Sequence, residues 1–219
     1  MQFKNFFYVL LVASVMLSCS GKKENTSNRF EGRLVYKITS NLREFDPADS
    51  MSYQIIYAKD SLVKTDNFTR LGKQSYLKHI LKNRAYTLMN FQGNKLALQS
   101  IPDSTKVEAD KYTFFDRDES KEIAGLKANL VEVKIKGQKE PYEMWYTSEI
   151  SHDYSEAIPG MKGLPVVFTL VIGEEELTYT LIEAERKTMD RDHFGLPSDY
   201  KVITTQEFEA YITAPQEEM

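Results

Sequence analysis

The segment "LPVVFTLVIGEEELTYTLIEAE", residues 164–185, decides the fold class of this chain. Residues 164–172 are apolar at almost every position, and a Gly-Glu turn at 173–176 separates them from a second run rich in β-branched and aromatic residues. Two such runs around a polar turn are typical of a β-hairpin. A strand without a polar face must be covered on both sides, so we expect something to pack against each face of the sheet here.

Alternation of apolar and polar residues extends the β prediction over most of the chain. Residues 30–39 alternate over ten positions, which indicates a half-buried strand. Further predicted strands, separated by short turns of polar residues and glycine, are 52–58, 61–66, 74–81, 84–90, 95–100, 131–135 and 142–147. Residues 71–81 also fit helical spacing in part, so a helix there is the alternative.

A helix is predicted at the end of the chain. Thr204 and Glu207 have the spacing of a capping box, in which each side chain bonds the other residue's backbone N–H. Phe208, Tyr211 and Ile212 would share one helical face.

The first 18 residues have the pattern of a signal peptide. Lys4 provides a basic start, and the apolar run at 6–17 is too short to span a bilayer. Met16-Leu17-Ser18 precede Cys19, the single cysteine, and resemble a lipobox, the site where bacterial lipoproteins are lipidated on cysteine. The alternative is an ordinary secretory signal with an incidental cysteine.

Lipidation of Cys19 would anchor the protein to a membrane, because two or three acyl chains hold a protein far more firmly than one. Residues 19–28 are small, polar and charged, which predicts a flexible tether. Residues 29–219 contain no linker or repeat and predict a single domain. The expected location is the cell envelope, at the outer membrane, with the periplasmic and surface-exposed faces both open.

Composition and motifs argue against several function classes. The net charge of −4 lacks the basic excess that nucleic-acid binding needs. No hydrolase elbow, phosphate-binding loop, dinucleotide fingerprint or zinc-protease motif occurs, and His79, His152 and His193 stand singly. We therefore predict no enzyme activity, no catalytic residue, no metal and no cofactor.

Three acidic segments are candidate sites. Residues 116–122, "DRDESKE", place oxygen ligands at alternate positions as a calcium loop does, but Lys121 and Lys127 stand where an EF-hand has glycine and glutamate. A solvated charged loop is predicted instead. The trio Glu174, Glu175 and Glu176 is predicted to be a hairpin tip kept in water, and residues 189–195, "MDRDHFG", a loop without a nucleophile.

Short motifs in the second half resemble a family. Trp145-Tyr146-Thr147, Gly163-Leu164-Pro165 and the stretch from Phe194 to Tyr200 with Pro197 resemble uncharacterised envelope lipoproteins of the GLPGLI and related unknown-function groups. More widely, the chain is similar to the LolA-like lipoprotein carriers. This resemblance implies a mainly β (α+β) fold: a curled antiparallel sheet forming an incomplete barrel, with short helices plugging its concave face. A two-sheet sandwich is the alternative that the sequence leaves open.

The resemblance also implies a concave face that binds a lipid or acyl chain. The side chains expected to line it are Tyr53, Ile55, Tyr57, Leu88, Met144, Tyr146, Phe168 and Leu170. Equally, they could form a filled core. The sequence therefore supports two functions: a membrane-anchored lipoprotein that binds a hydrophobic ligand, or an envelope module that docks another protein and has no small-molecule ligand.

Overall fold

The computed structural model describes residues 29–70, 72–102 and 110–213. The predicted signal peptide, Cys19 and the tether lie outside the described residues. The strands are β1 Gly32–Ser40, β2 Tyr53–Lys59, β3 Leu62–Thr69, β4 Gly72–His79, β5 Arg84–Phe91, β6 Asn94–Ser100, β7 Tyr112–Ile123, β8 Leu126–Ile135, β9 Tyr142–Thr147, β10 Leu164–Ile172, β11 Glu175–Arg186 and β12 Lys201–Ile203. One α-helix, α1 Thr205–Thr213, follows them in this part of the chain.

The strands described form one sheet in the order β12-β6-β5-β4-β3-β2-β1-β11-β10-β9-β8-β7. Two antiparallel meanders, β1 to β6 and β7 to β11, meet where β1 pairs with β11, and the short β12 lies parallel to β6. The outermost strands, β7 and β12, do not pair with each other, so the sheet stays open. One sheet rather than a two-sheet sandwich is thus formed.

The decisive hairpin is confirmed, with a tighter turn than predicted. Ile172 pairs with Glu175, which leaves only residues 173–174 in the turn. Burial on both sides of β10 holds for most of 164–169, and Ile172 at its end is exposed. The expected covering of both faces therefore applies to the first part of the strand.

Two other predictions differ from the structure. The helical alternative for 71–81 is wrong, because residues 72–79 form β4 and pair with β3 on one side and β5 on the other. Residues 116–122 are not a loop. They belong to β7, an edge strand whose charged side chains stay in water, as is common where a sheet ends.

The predicted helix and its cap are confirmed. The Glu207 carboxylate accepts from the Thr204 backbone N–H at 2.7 Å, and the Thr204 hydroxyl accepts from the Glu207 N–H at 3.2 Å. Phe208 and Tyr211 pack edge-on against Phe91 of β5. The helix thus lies beside β5 and β6, away from the main core.

The sheet curls around one face, which we call the inner face. Thr87 of β5 and Phe168 of β10 line one cavity although five strands separate them in the sheet. The connection at 148–163 crosses this face and buries four side chains in the main core: Ile150, Tyr154, Ile158 and Met161. The resemblance implied helices at this place, and an irregular segment with one 3-10 turn, His152–Tyr154, takes it instead.

The opposite, outer face is covered beside β2 to β6 by the connection between β11 and β12. Here the His193 ring packs 4.5 Å from the Tyr57 ring, measured between centroids. Tyr200 packs against a small cluster of Leu77, Leu88 and Ala97. Apolar residues on this face therefore belong to a filled secondary core.

Candidate ligand groove

A cavity of about 300 Å3 lies on the inner face beneath the 148–163 connection. Its apolar wall consists of Ile56, Val63, Phe168 and Leu170, from three different strands. Residues 153–157 form its rim, and we call them the lid. Its polar side chains are Gln54, Thr65, Asn67, Gln74, Tyr76, Lys78 and Thr87. This volume is at the lower end of the range usual for small-molecule pockets.

A second cavity of about 580 Å3 continues the first toward the loop after β1. The two cavities share Gln54, Asn67, Gln74 and Tyr179, so they form one groove along the inner face. The second cavity also has Arg43, Phe45, Phe68 and Arg70 in its wall. Arg43 is paired with Glu175 at 2.6 Å. Arg70 is exposed and forms no ion pair with the residues described.

Three carboxamides meet in the middle of the groove. Gln54 pairs with Asn67, and Asn67 pairs with Gln74, so strand register alone places them side by side. The Gln54 amide nitrogen donates to the Asn67 side-chain oxygen at 2.8 Å. A carboxamide both donates and accepts hydrogen bonds, so this row suits an uncharged polar group of a ligand.

An ion pair fastens the lid to the inner face. The Lys78 ammonium lies 2.8 Å from the Glu156 carboxylate. The Tyr76 hydroxyl donates to the same carboxylate, and burial, followed by the Glu156 charge and that hydrogen bond, raises the pKa of Tyr76. Tyr154 donates through its hydroxyl to the Asp60 carbonyl at 2.8 Å and accepts from the Phe30 N–H at 3.2 Å. The lid is therefore joined to the segment before β1, to the β2–β3 turn and to β4.

The structure divides the eight predicted lining residues between the two faces. Phe168 and Leu170 line the groove. Met144 is fully buried in the main core, and Tyr146 packs against that core without lining the groove. Alternation places Tyr53, Ile55, Tyr57 and Leu88 on the outer face, because their neighbours Gln54, Ile56 and Thr87 line the groove.

The expectation that all eight share one concave face is therefore wrong for those four residues. The reason is that alternation does not show which set of residues faces the groove, since both sets of alternate residues in β2 include large apolar side chains. The residues that sequence reasoning missed are the carboxamides. The available signal was the distance of each carboxamide from the turn that joins its strand to the next. This distance sets the pairing of Gln54 with Asn67 and of Asn67 with Gln74.

The acidic residues at the β10–β11 turn form more hydrogen bonds and ion pairs than predicted. Glu175 accepts from the Ser40 hydroxyl at 2.8 Å and pairs with Arg43, and Glu176 accepts from the Tyr142 hydroxyl at 2.6 Å. Only Glu174 sits at the tip of the turn. These carboxylates tie the turn to β1 and β9.

Within the ranges that the structure describes, no three His, Cys, Asp or Glu side chains converge as metal ligands would. His193 lies under the outer-face connection, where burial and the nearby Lys64 lower its pKa. Its Nε2 is buried without a hydrogen-bond partner among the described groups.

None of the helices in the described part of the chain is long and apolar enough to cross a membrane.

Comparison with known proteins shows a likeness in fold alone. No family model and no curated protein matches the chain. The structure of PNGF-II in space group P21 is similar with a TM-score of 0.52 at 12% identity, over 82% of this chain and 33% of PNGF-II. The C2 crystal form gives a TM-score of 0.46 at 10% identity, over 82% and 32%. The chain thus spans about a third of PNGF-II, and the likeness concerns a large open β-sheet.

Proposed function

We propose that this protein is a non-enzymatic, lipid-anchored lipoprotein of the bacterial envelope, attached to the outer membrane through Cys19. In this proposal it holds one amphipathic ligand with an acyl chain in the groove of the inner face. The finer fold assignment, an incomplete barrel of LolA-like type, belongs to the same proposal.

The observation that carries the proposal is the division of the groove into an apolar wall and a polar row. Ile56, Val63, Phe168 and Leu170 offer apolar surface, and burial of each methylene of an acyl chain there would contribute about 0.8 kcal/mol. The carboxamides of Gln54, Asn67 and Gln74 offer donors and acceptors beside that wall. A ligand with an ester, amide or hydroxyl next to its chain would match both.

The fastening of the lid supports reversible loading. The Glu156 side chain is partly exposed and is held by Tyr76 and Lys78, whereas Tyr154 of the lid is buried in the main core. An ion pair with an exposed partner contributes little stability, typically about 1 kcal/mol or less. The Glu156 side of the lid can therefore open for a ligand while Tyr154 stays in the core.

The test is native mass spectrometry of the chain beginning at Ser20, produced without its anchor and followed by organic extraction. All the strands and the helix described above lie within residues 29–213, so this chain retains them. We expect a reproducible added mass in the range of a fatty acid or phospholipid that disappears on extraction. A clean mass with no uptake of added lipid would contradict the ligand.

A matched pair of variants locates the ligand. Thr65 of β3 is half-buried in the groove, and Ile182 of β11 is exposed outside the groove. Thr65→Trp should fill the first cavity and weaken fatty-acid binding more than about tenfold, the effect of losing about 1.4 kcal/mol. Ile182→Trp should bind as the parent does. Equal binding by both variants would place any ligand elsewhere.

A second candidate function is docking of an envelope protein through β7. This twelve-residue strand lies at an open edge of the sheet, and Phe115 on it is 45% exposed. An open edge can accept a strand from a partner. A pull-down from envelope extracts that depends on Phe115, together with absence of a lipid ligand, would favour this candidate.

A further inference from the structure

The turn between β4 and β5 carries an exposed apolar side chain surrounded by cations. The 3-10 turn Ile80–Lys82 projects Leu81, which is 66% exposed. Leu196, 37% exposed, lines a small cavity together with Lys82 and Arg84. We call Leu81, Leu196, Lys82, Arg84 and Arg191 the basal patch.

The three cations of the basal patch are exposed, and none of them forms an ion pair with a described residue. They surround His79, where the charges that act on the imidazole are Lys82, Arg191 and Arg84, with no carboxylate among them. Asp190 and Asp192 flank Arg191, so the positive excess of the patch lies at Lys82 and Arg84, although the whole chain has a net charge of −4. The opposite end of the sheet carries charges of both signs, with Glu174 and the acidic residues of the loop at 44–49 near Arg43 and Arg70.

The chain enters the described fold beside this patch. Arg29, the first described residue, lines a cavity of about 320 Å3 together with Ile80, Leu81 and Lys162, and with Asp60 and Asp153. Cys19 is only ten residues upstream of Arg29. Ten residues span at most about 36 Å when fully extended. A lipid anchor at Cys19 therefore keeps this end of the sheet near the bilayer.

We infer that the basal patch rests on the surface of an anionic phospholipid bilayer. Leu81 enters the headgroup region, and Lys82, Arg84 and Arg191 lie against lipid phosphates. The orientation rests on the proposed anchor at Cys19, whereas the affinity of the patch for anionic lipid stands without it. In this orientation the β10–β11 turn, at the other end of the strands, points away from the membrane.

The test is co-sedimentation of the chain beginning at Ser20 with vesicles. Phosphatidylethanolamine vesicles with and without phosphatidylglycerol separate charge recognition from general adhesion. We expect binding only to the vesicles that contain phosphatidylglycerol, and weaker binding as salt is added. Equal binding to both vesicles, or no binding to anionic vesicles at low salt, would overturn the inference.

Matched variants assign the contact to the patch. Lys82→Gln and Arg191→Gln should each weaken binding about fivefold, because a cation near an anionic membrane contributes about 1 kcal/mol. Lys136→Gln removes an exposed cation at the far end of β8 and should leave binding unchanged. Leu81→Ser should also weaken binding, whereas Leu42→Ser, a residue 63% exposed in the loop after β1, should not. Equal losses in the far-end variants would contradict the assignment.

The anchor is tested apart from the patch. Intact mass measurement of the full chain should show a diacylglyceryl group that Cys19→Ser abolishes. Absence of that group, with vesicle binding retained by the chain from Ser20, would remove the anchor from the proposed function and leave the patch in place.

Discussion

The Lys78 ammonium lies 2.8 Å from the Glu156 carboxylate and 3.3 Å from the Asp153 carbonyl oxygen. One side chain of β4 thus binds two points of the lid. The Lys78 side chain is only 13% exposed, so little solvent competes for these contacts. The pair connects a rigid strand to the rim of the groove.

Lys78→Met should loosen the lid around Glu156 while the sheet stays folded. The global free energy of unfolding should fall by about 1 kcal/mol or less, since Glu156 stays partly in water. Backbone amides of residues 153–157 should exchange with solvent faster, as measured by hydrogen exchange. The control is Lys95→Met on β6, which removes the exposed ion pair of Lys95 with Asp199. Unchanged exchange in the lid would show that other contacts hold it.

Tyr36→Phe should destabilise the main core. The Tyr36 hydroxyl donates to the Pro165 carbonyl at 2.8 Å, and the side chain is fully buried. Its removal leaves a buried acceptor unpaired, which costs about 1 to 3 kcal/mol. Tyr53→Phe is the matched control, because its hydroxyl donates to the Pro47 carbonyl at the surface. Urea unfolding should separate the two variants, and similar losses would contradict the role of the buried bond.

Gly163→Ala should disrupt the entry to β10. A Cβ at this position would lie 2.1 Å from the Thr147 carbonyl oxygen, so the backbones of β9 and β10 would have to move apart. We expect a loss of about 3 kcal/mol or more in unfolding free energy, within the range of severe backbone and packing defects. At Gly137 a Cβ would meet nothing within 4 Å, so Gly137→Ala tests the cost of backbone conformation alone. A smaller loss at Gly163 than at Gly137 would contradict the steric explanation.

Stability should decrease on mild acidification, in part through His193. Burial first, and then the charge of Lys64, lower the pKa of this imidazole in the folded protein. The unfolded chain takes up the proton near pH ~6.5, so the stabilisation is complete above that pH and is lost as the pH falls toward the folded pKa. His193→Gln should lose less unfolding free energy between about pH 7 and about pH 5 in urea titrations. Some dependence should remain, because the pKa of His79 is lowered in the same direction. Identical pH profiles would exclude the His193 contribution.

The sequence by itself determined the features that depend on neighbouring residues. Alternation in 30–39 and the apolar run at 164–172 predicted strands, and Thr204 with Glu207 predicted the helix start. These signals are local, since a strand shows its period within a few residues and a capping box within four. The charged segment at 116–122 is a strand although its sequence predicts a loop. A strand at a sheet edge can lack an apolar face along much of its length, so alternation does not reveal it.

Only the tertiary structure decided which face of the sheet became the inner one. Alternation shows that Tyr57 and Ile55 share a face, yet Gln54 and Ile56 are the residues that line the groove. The choice depends on the pairing of β1 with β11 and on the segment at 148–163, which crosses the inner face without any periodicity. The pairing of β1 with β11 joins residues more than 100 positions apart. A period of two carries no information about them, because it assigns residues to faces and leaves open which face the rest of the chain will cover.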